Sequence, residues 1–330
     1  MRSDRFRRHP SSQEIFAMRT SAWSVRWTPA RPPSSAVAAA LVALALCLLA
    51  GAPVLADSEG PLEATFESDG VTLHYYTIGQ GDPLVLLHGF TATAEANWFL
   101  PGIAAELAEH HRVVAIDHRG HGKSGKPHDP AQYGAQMVRD VVNLLDHLEI
   151  EKADVAGYSM GAFITLKLLT VAPERVDSAV LGGAGWSGEQ GLPGLEELAA
   201  SLESGQGLTP LLRTLTPADA PPMTDEQIQF MNQMVLASND PKALAAVARG
   251  MAGLVATRDQ VAAIDVPVLA VIGSRDPLKA GVDALQQVLP AVQVVVLDGA
   301  DHMTATMDPN HAAKFSQAML EFFAAVPAAP

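Results

Sequence analysis

From about residue 60 onward, short runs of apolar residues alternate with longer helix-like segments. Residues 84–87, 112–116, 153–156, 176–181, 266–272 and 292–297 are rich in Val, Ile, Leu and Ala and show little polar alternation. Runs of that kind predict parallel strands covered on both faces. Between them, residues 103–109, 137–148, 160–171 and 280–288 predict helices. The resulting βαβα order implies an α/β protein, a mostly parallel twisted sheet with helices on both faces. Residues 65–67 and 71–76 flank Ser68-Asp69-Gly70 and predict an antiparallel hairpin that starts the sheet.

The alternation stops between about residues 187 and 258, where no strand-like run occurs. Two helix starts lie there instead. Thr224 with Gln227 three residues on makes a capping box, and Asp240-Pro241 supplies an N-cap followed by proline at the first helical position. The organisation expected is therefore a core in two parts, 57–186 and 258–330, interrupted by a helical insertion over 187–257.

Residues 1–56 form a different region. They carry seven Arg against Asp4 and Glu14, whereas the chain as a whole is at −14, which leaves −19 for the remainder. Basic residues (Arg19, Arg26, Arg31) precede an apolar run over 36–50, and Val54-Leu55-Ala56 offers small residues for cleavage. This is the layout of a signal peptide cut after Ala56. The expectation is thus an exported protein, periplasmic or secreted, with an uncleaved membrane anchor as the alternative. Met18 competes with Met1 as the start. Cys47 is the one cysteine and lies inside the apolar run, so a cleaved chain has no disulfide, thiol nucleophile or zinc-thiolate site. The acidic balance disfavours nucleic acid as a partner, and a small-molecule substrate is expected instead.

Gly157-Tyr158-Ser159-Met160-Gly161 carries the chemistry. A strand-like run precedes it and a helix-like run follows. A serine on so sharp a strand-to-helix turn is held in a strained backbone conformation, and side chains two residues either way would clash. Ser159 then stands at a helix N-terminus, where free N–H groups favour negative charge. Serine needs a base held by a third group. His302, in Gly299-Ala300-Asp301-His302, follows the last apolar run; Asp276, in Gly273-Ser274-Arg275-Asp276-Pro277, follows the run before it. Asp265, Asp298 and Asp301 are the competing acids. For an oxyanion, the expected donors are the backbone N–H groups of Met160 and Phe90, with Gly89 allowing close approach.

Five motifs together resemble the α/β-hydrolase superfamily, over about residues 60–326: His88-Gly89-Phe90, Asp117-His118-Arg119-Gly120-His121-Gly122-Lys123-Ser124, Gly157-Tyr158-Ser159-Met160-Gly161, Gly273-Ser274-Arg275-Asp276 and Gly299-Ala300-Asp301-His302. The resemblance implies the α/β-hydrolase fold, a helical cap over the nucleophile, and a carboxylesterase-like serine hydrolase needing no cofactor and no metal. It implies a structural role for the second motif, so Asp117 and His121 are assigned no chemistry. Ser159 argues against the epoxide hydrolases and haloalkane dehalogenases, whose elbow residue is aspartate. Carbon–carbon bond hydrolases, lactonases and cofactor-free haloperoxidases or perhydrolases remain open, as does a non-catalytic ligand-binding protein on the same fold.

Three further patterns are weaker. Gly183-Ala184-Gly185-Trp186-Ser187-Gly188 matches a dinucleotide fingerprint, but no strand follows it to complete the βαβ unit. Gly122-Lys123-Ser124 resembles the end of a P-loop, with Asp117 where its first glycine belongs. His118, His121 and His128 could suggest a metal, yet fall in the structural loop. In the insertion, Met223, Met231, Met234 and Met251 are either packing residues or lining of a substrate pocket.

Overall fold

The computed structural model describes residues 60–326, so the expected signal region and Cys47 lie outside the described residues. Eight strands form one sheet: β1 (Leu62–Ser68), β2 (Val71–Ile78), β3 (Asp82–Leu87), β4 (His111–Asp117), β5 (Ala153–Tyr158), β6 (Val176–Gly182), β7 (Val268–Gly273) and β8 (Gln293–Leu297). Their order across the sheet is β1-β2-β4-β3-β5-β6-β7-β8. β1 and β2 are the antiparallel hairpin, turning through Asp69 and Gly70 at φ 48° and 79°. β2 joins β4 antiparallel, and every pairing from β4 to β8 is parallel.

The helices are α1 (Ile103–Ala108), α2 (Ala135–His147), α3 (Met160–Val171), α4 (Leu195–Glu203), α5 (Thr209–Thr214), α6 (Asp225–Leu236), α7 (Pro241–Gly250), α8 (Arg258–Ala262), α9 (Lys279–Val288), α10 (Thr304–Met307) and α11 (Pro309–Ala325). Successive strand residues serve opposite faces. On one face Leu84 and Leu86 of β3 pack with Ile103, Leu107, Phe315 and Phe322 from α1 and α11. On the other, Val85 and Leu87 pack with Met137, Val141, Ile164 and Leu168 from α2 and α3. Nine of the twelve residues of α3 are buried, as expected of a helix enclosed by other elements.

The predicted capping box at Thr224 starts α6, and Asp240 accepts from the N–H groups of Lys242 and Ala243 to start α7. Helices α4 to α7 fill the interval between β6 and β7 and have a core of their own, with Leu198, Leu202, Leu208 and Leu244 at its centre. No helix was expected after residue 302, yet α11 is the longest of those described. Its start repeats the Asp-Pro signature: Asp308 accepts from Asn310 and His311 N–H, with Pro309 at the first position.

One buried acid in the sheet sets a pH dependence. Asp154 of β5 is partly buried, and that burial pushes its carboxyl up to about 6, opposed by a hydrogen bond from Ser178 Oγ at 2.5 Å. The native state therefore holds this proton more tightly than the unfolded chain, where aspartate titrates near ~3.9. Ionised Asp154 costs stability above about 6, and the cost disappears below about 4. Asp154→Asn keeps an acceptor for Ser178 and is expected to raise the unfolding midpoint at pH 8, by up to about 3 kcal/mol of stability. At pH 4 it should give no gain. Thermal unfolding at the two pH values decides it, and an equal gain at both would remove Asp154 ionisation as the cause.

Candidate active site

The chain runs from β3 to β4 on one side and then crosses back to place β5 on the other side of β3. At such a reversal the loops leaving the two strands part and open a crevice at the carboxyl edge of the sheet. Leu87 is paired with Gly157 in register, so the loop beginning at His88 and the turn at Ser159 emerge side by side.

Ser159 lies between β5 and α3 with φ 54° and ψ −113°, a backbone conformation that non-glycine residues adopt at a cost of about 1–3 kcal/mol. The turn is held by a hydrogen bond from Ser159 N–H to the Gly182 carbonyl at 2.8 Å. Its flanking glycines are required by contact. A Cβ on Gly157 would sit 2.1 Å from the Gly161 carbonyl oxygen, and one on Gly161 would sit 2.0 Å from that of Leu87.

Three loops bring the polar groups together. His302 Nε2 lies 3.0 Å from Ser159 Oγ, and His302 Nδ1 lies 2.8 Å from Asp276 Oδ2. The second oxygen of Asp276 accepts from Leu278 N–H at 2.9 Å, which leaves the carboxylate one orientation towards the imidazole. Asp276 and His302 are both almost fully buried, at 4% exposure each. The competing acids are placed elsewhere. Asp301 accepts from Met303 N–H, Thr304 N–H and Thr304 Oγ1, as the cap of the turn into α10. Asp298 and Asp265 are exposed.

The N–H groups of Phe90 and Met160 have no acceptor among the described residues. Both residues border the same cavity as Ser159. Gly89 approaches the nucleophile closely: a Cβ there would stand 3.3 Å from Ser159 Cβ. Its own N–H donates to Asn97 Oδ1 at 2.9 Å, and its carbonyl accepts from His88 Nδ1 at 2.8 Å. His88 Nε2 accepts from His118 N–H at 3.0 Å. Donor on one nitrogen and acceptor on the other fix the neutral Nδ1–H tautomer, and complete burial pushes this imidazole below the ordinary histidine range. Asn97 was not singled out in the sequence; its place in the Asn97-Trp98 pair, nine residues after His88, was the available signal.

The loop over 117–124 holds backbone rather than substrate. Asp117 accepts from Ala94 N–H and Lys123 N–H, and Arg119 is paired through two hydrogen bonds of 2.6 Å with buried Asp140. The rings of His118 and His121 lie against His88, at 4.6 and 5.1 Å between centroids. Burial holds His118 well below its ordinary pKa and His121 at about 3. His128 stands apart from them, 2.8 Å from Asp240.

A cavity of about 770 Å³ opens over Ser159. Core residues Phe90, Met160, Phe163, Trp186 and Leu278 form its floor and sides, and Leu195, Leu198, Leu211 and Leu215 come from α4, α5 and the residue after α5. Glu197 and Arg213 are its charged lining groups. Of the four methionines of the insertion, Met251 lines this cavity, and Met234 points to solvent at 59% exposure. Met223 and Met231 are partly buried away from it, so methionine content alone was a poor guide to the lining.

Residues 82–242 match the family model described as alpha/beta hydrolase fold. The 2-hydroxymuconate semialdehyde hydrolase of Pseudomonas sp. (strain CF600) is 32% identical over 274 residues, 79% of this chain and 93% of that protein. The dihydrolipoyllysine-residue acetyltransferase component of the acetoin cleaving system of Pseudomonas putida is 31% identical over 275 residues, 80% of this chain and 70% of that protein. Among solved structures, the 2-hydroxy-6-oxo-6-phenylhexa-2,4-dienoate hydrolase of Rhodococcus sp. strain RHA1 superposes with a TM-score of 0.63 at 27% identity, over 80% of this chain and 99% of that one. With the mixed sheet, the strand-to-helix turn at Ser159 and relatives of this extent, the chain belongs to the α/β-hydrolase fold family of enzymes.

Proposed function

We propose that the protein is a serine hydrolase that cleaves an ester or related acyl bond of a small, largely apolar substrate through an acyl-enzyme on Ser159. The observation that carries the reading is the continuous chain of contacts from Ser159 Oγ through His302 to Asp276, opening on a cavity with mostly apolar walls. In the first step His302 Nε2 takes the hydroxyl proton as Ser159 Oγ bonds to the substrate carbonyl carbon. The carbonyl oxygen becomes an oxyanion, for which the free N–H groups of Phe90 and Met160 are the donors. The imidazolium, supported by Asp276, returns the proton to the leaving alcohol as the acyl-enzyme forms. A water activated by the same imidazole then releases the acid and frees Ser159.

A second reading, a carbon–carbon bond hydrolase using the same three residues, is favoured by the 32% identical semialdehyde hydrolase relative. The experiment that separates them is turnover of p-nitrophenyl esters of graded acyl length, lactones and vinylogous diketones by the purified protein. The ester reading expects the highest kcat/KM on an ester of medium acyl length, given the cavity volume. Cleavage of a diketone with higher kcat/KM than any ester would replace it with the second reading. Absence of turnover on every compound, with binding retained, would point to a ligand-binding protein.

A further inference from the structure

Tyr158 fills the variable position of the Gly157-Tyr158-Ser159-Met160-Gly161 turn, immediately before the nucleophile. It is 5% exposed, and its hydroxyl donates to the backbone carbonyl of His302 at 2.5 Å. The carbonyl is otherwise open. At the start of α10, Ala305 N–H reaches the Asp301 carbonyl and Met307 N–H reaches that of Met303. Among the described residues no backbone N–H reaches His302, so the phenol supplies the donor that the helix does not.

The ring itself has little freedom. It lies against the His302 imidazole at 5.4 Å between centroids and meets Phe315 edge-on at 5.9 Å. Gly182 and Gly183 keep its place open: a Cβ on either would fall 2.9 or 2.7 Å from the ring. A phenol so enclosed holds the peptide it bonds to. The direction of that peptide sets the Cα–Cβ vector of His302, and hence where Nε2 points.

We propose that Tyr158 is a positioning residue for the general base, its hydroxyl setting the direction of the His302 imidazole towards Ser159 through the His302 carbonyl. The proposal rests on the reading of Ser159, His302 and Asp276 as a working triad. Nucleophile and support for the base are then consecutive residues. Any shift at the end of β5 moves both together and preserves the 3.0 Å approach between Ser159 and His302. The role falls to the hydroxyl and not to the ring, since phenylalanine would keep both stacking contacts.

The test is Tyr158→Phe, with active sites counted by titration with a p-nitrophenyl phosphonate. Turnover of a p-nitrophenyl ester per titrated site is expected to fall roughly tenfold, the weight of one net hydrogen bond. KM should stay within about twofold, because the cavity is untouched, and acylation and deacylation should slow together because one imidazole serves both steps. A purely structural contribution gives a different result: a lower unfolding midpoint or fewer titratable sites, with each surviving site turning over at the wild-type rate. That outcome overturns the proposal. A second arm places Tyr158→Phe in the Asp276→Asn background, where the imidazole already carries its proton on the nitrogen facing Ser159 and cannot act as base, so little further loss is expected. A full additional tenfold loss there would place the hydroxyl outside the His302 pathway. If the wild-type protein is neither titrated by the phosphonate nor active on the ester, the triad reading itself fails, and the proposal fails with it.

Discussion

Ser159→Ala is expected to remove ester turnover almost completely, by roughly 10⁶-fold, the scale of losing a triad nucleophile. The change deletes one oxygen and leaves the turn intact: Gly157 and Gly161 keep their contacts, and the Ser159 N–H still reaches the Gly182 carbonyl. The protein should therefore fold normally, with an unchanged circular dichroism spectrum. An organophosphonate should form one adduct per wild-type chain, found on Ser159 by peptide mass spectrometry, and none on the variant. The double variant Ser159→Ala/His302→Ala should be scarcely worse than either single one, since the two residues act as a unit. An adduct at another residue, or turnover surviving in Ser159→Ala, would overturn the proposed mechanism.

The parts of this architecture that show in the sequence are those governed by local rules. Strands β3 to β7 are largely buried and read as short, mostly apolar runs, the edge strand β8 keeps a valine-rich run although it is largely open, and the two capping motifs at Thr224 and Asp240 mark helix starts because their side chains serve N–H groups two or three residues away. The Asp308-Pro309 start of α11 obeys the same rule and could have been read the same way. Cavity lining is different in kind. Whether a methionine of the insertion faces the cavity or solvent depends on how α4 to α7 pack on the core, and no spacing within the insertion encodes that; Met251 and Met234 have opposite fates. The bond between Tyr158 and His302 spans 144 positions, and Asn97 finds Gly89 only because the chain turns back after β3. Such contacts become visible once the sheet order brings the loops together.

Asp276→Asn tests the third member of the relay and should cost turnover up to roughly 10⁴-fold, while the protein stays folded. The magnitude follows from what the carboxylate does at this position. One oxygen of Asp276 is committed to Leu278 N–H, so the side chain cannot turn away, and the other stands 2.8 Å from His302 Nδ1. As carboxylate it can only accept, which fixes the proton on Nδ1 and leaves Nε2 free to take the proton of Ser159. An asparagine keeps its oxygen on Leu278 N–H and turns its amide donor towards Nδ1. The imidazole must then accept there and carry its proton on Nε2, the nitrogen facing Ser159, where it can no longer act as base. The imidazolium formed during acylation also loses its counter-charge, in a side chain that is itself almost fully buried. Asp301→Asn and Asp298→Asn are the controls. The first perturbs a turn cap at Met303 and Thr304, and the second an exposed strand end; both should keep turnover within about tenfold of wild type, since even the lost turn cap is worth only ~1 kcal/mol. Measured kcat/KM for the three variants on one p-nitrophenyl ester ranks the acids directly. Near-normal turnover in Asp276→Asn, or a larger loss in either control, would transfer the role of orienting acid to another carboxylate.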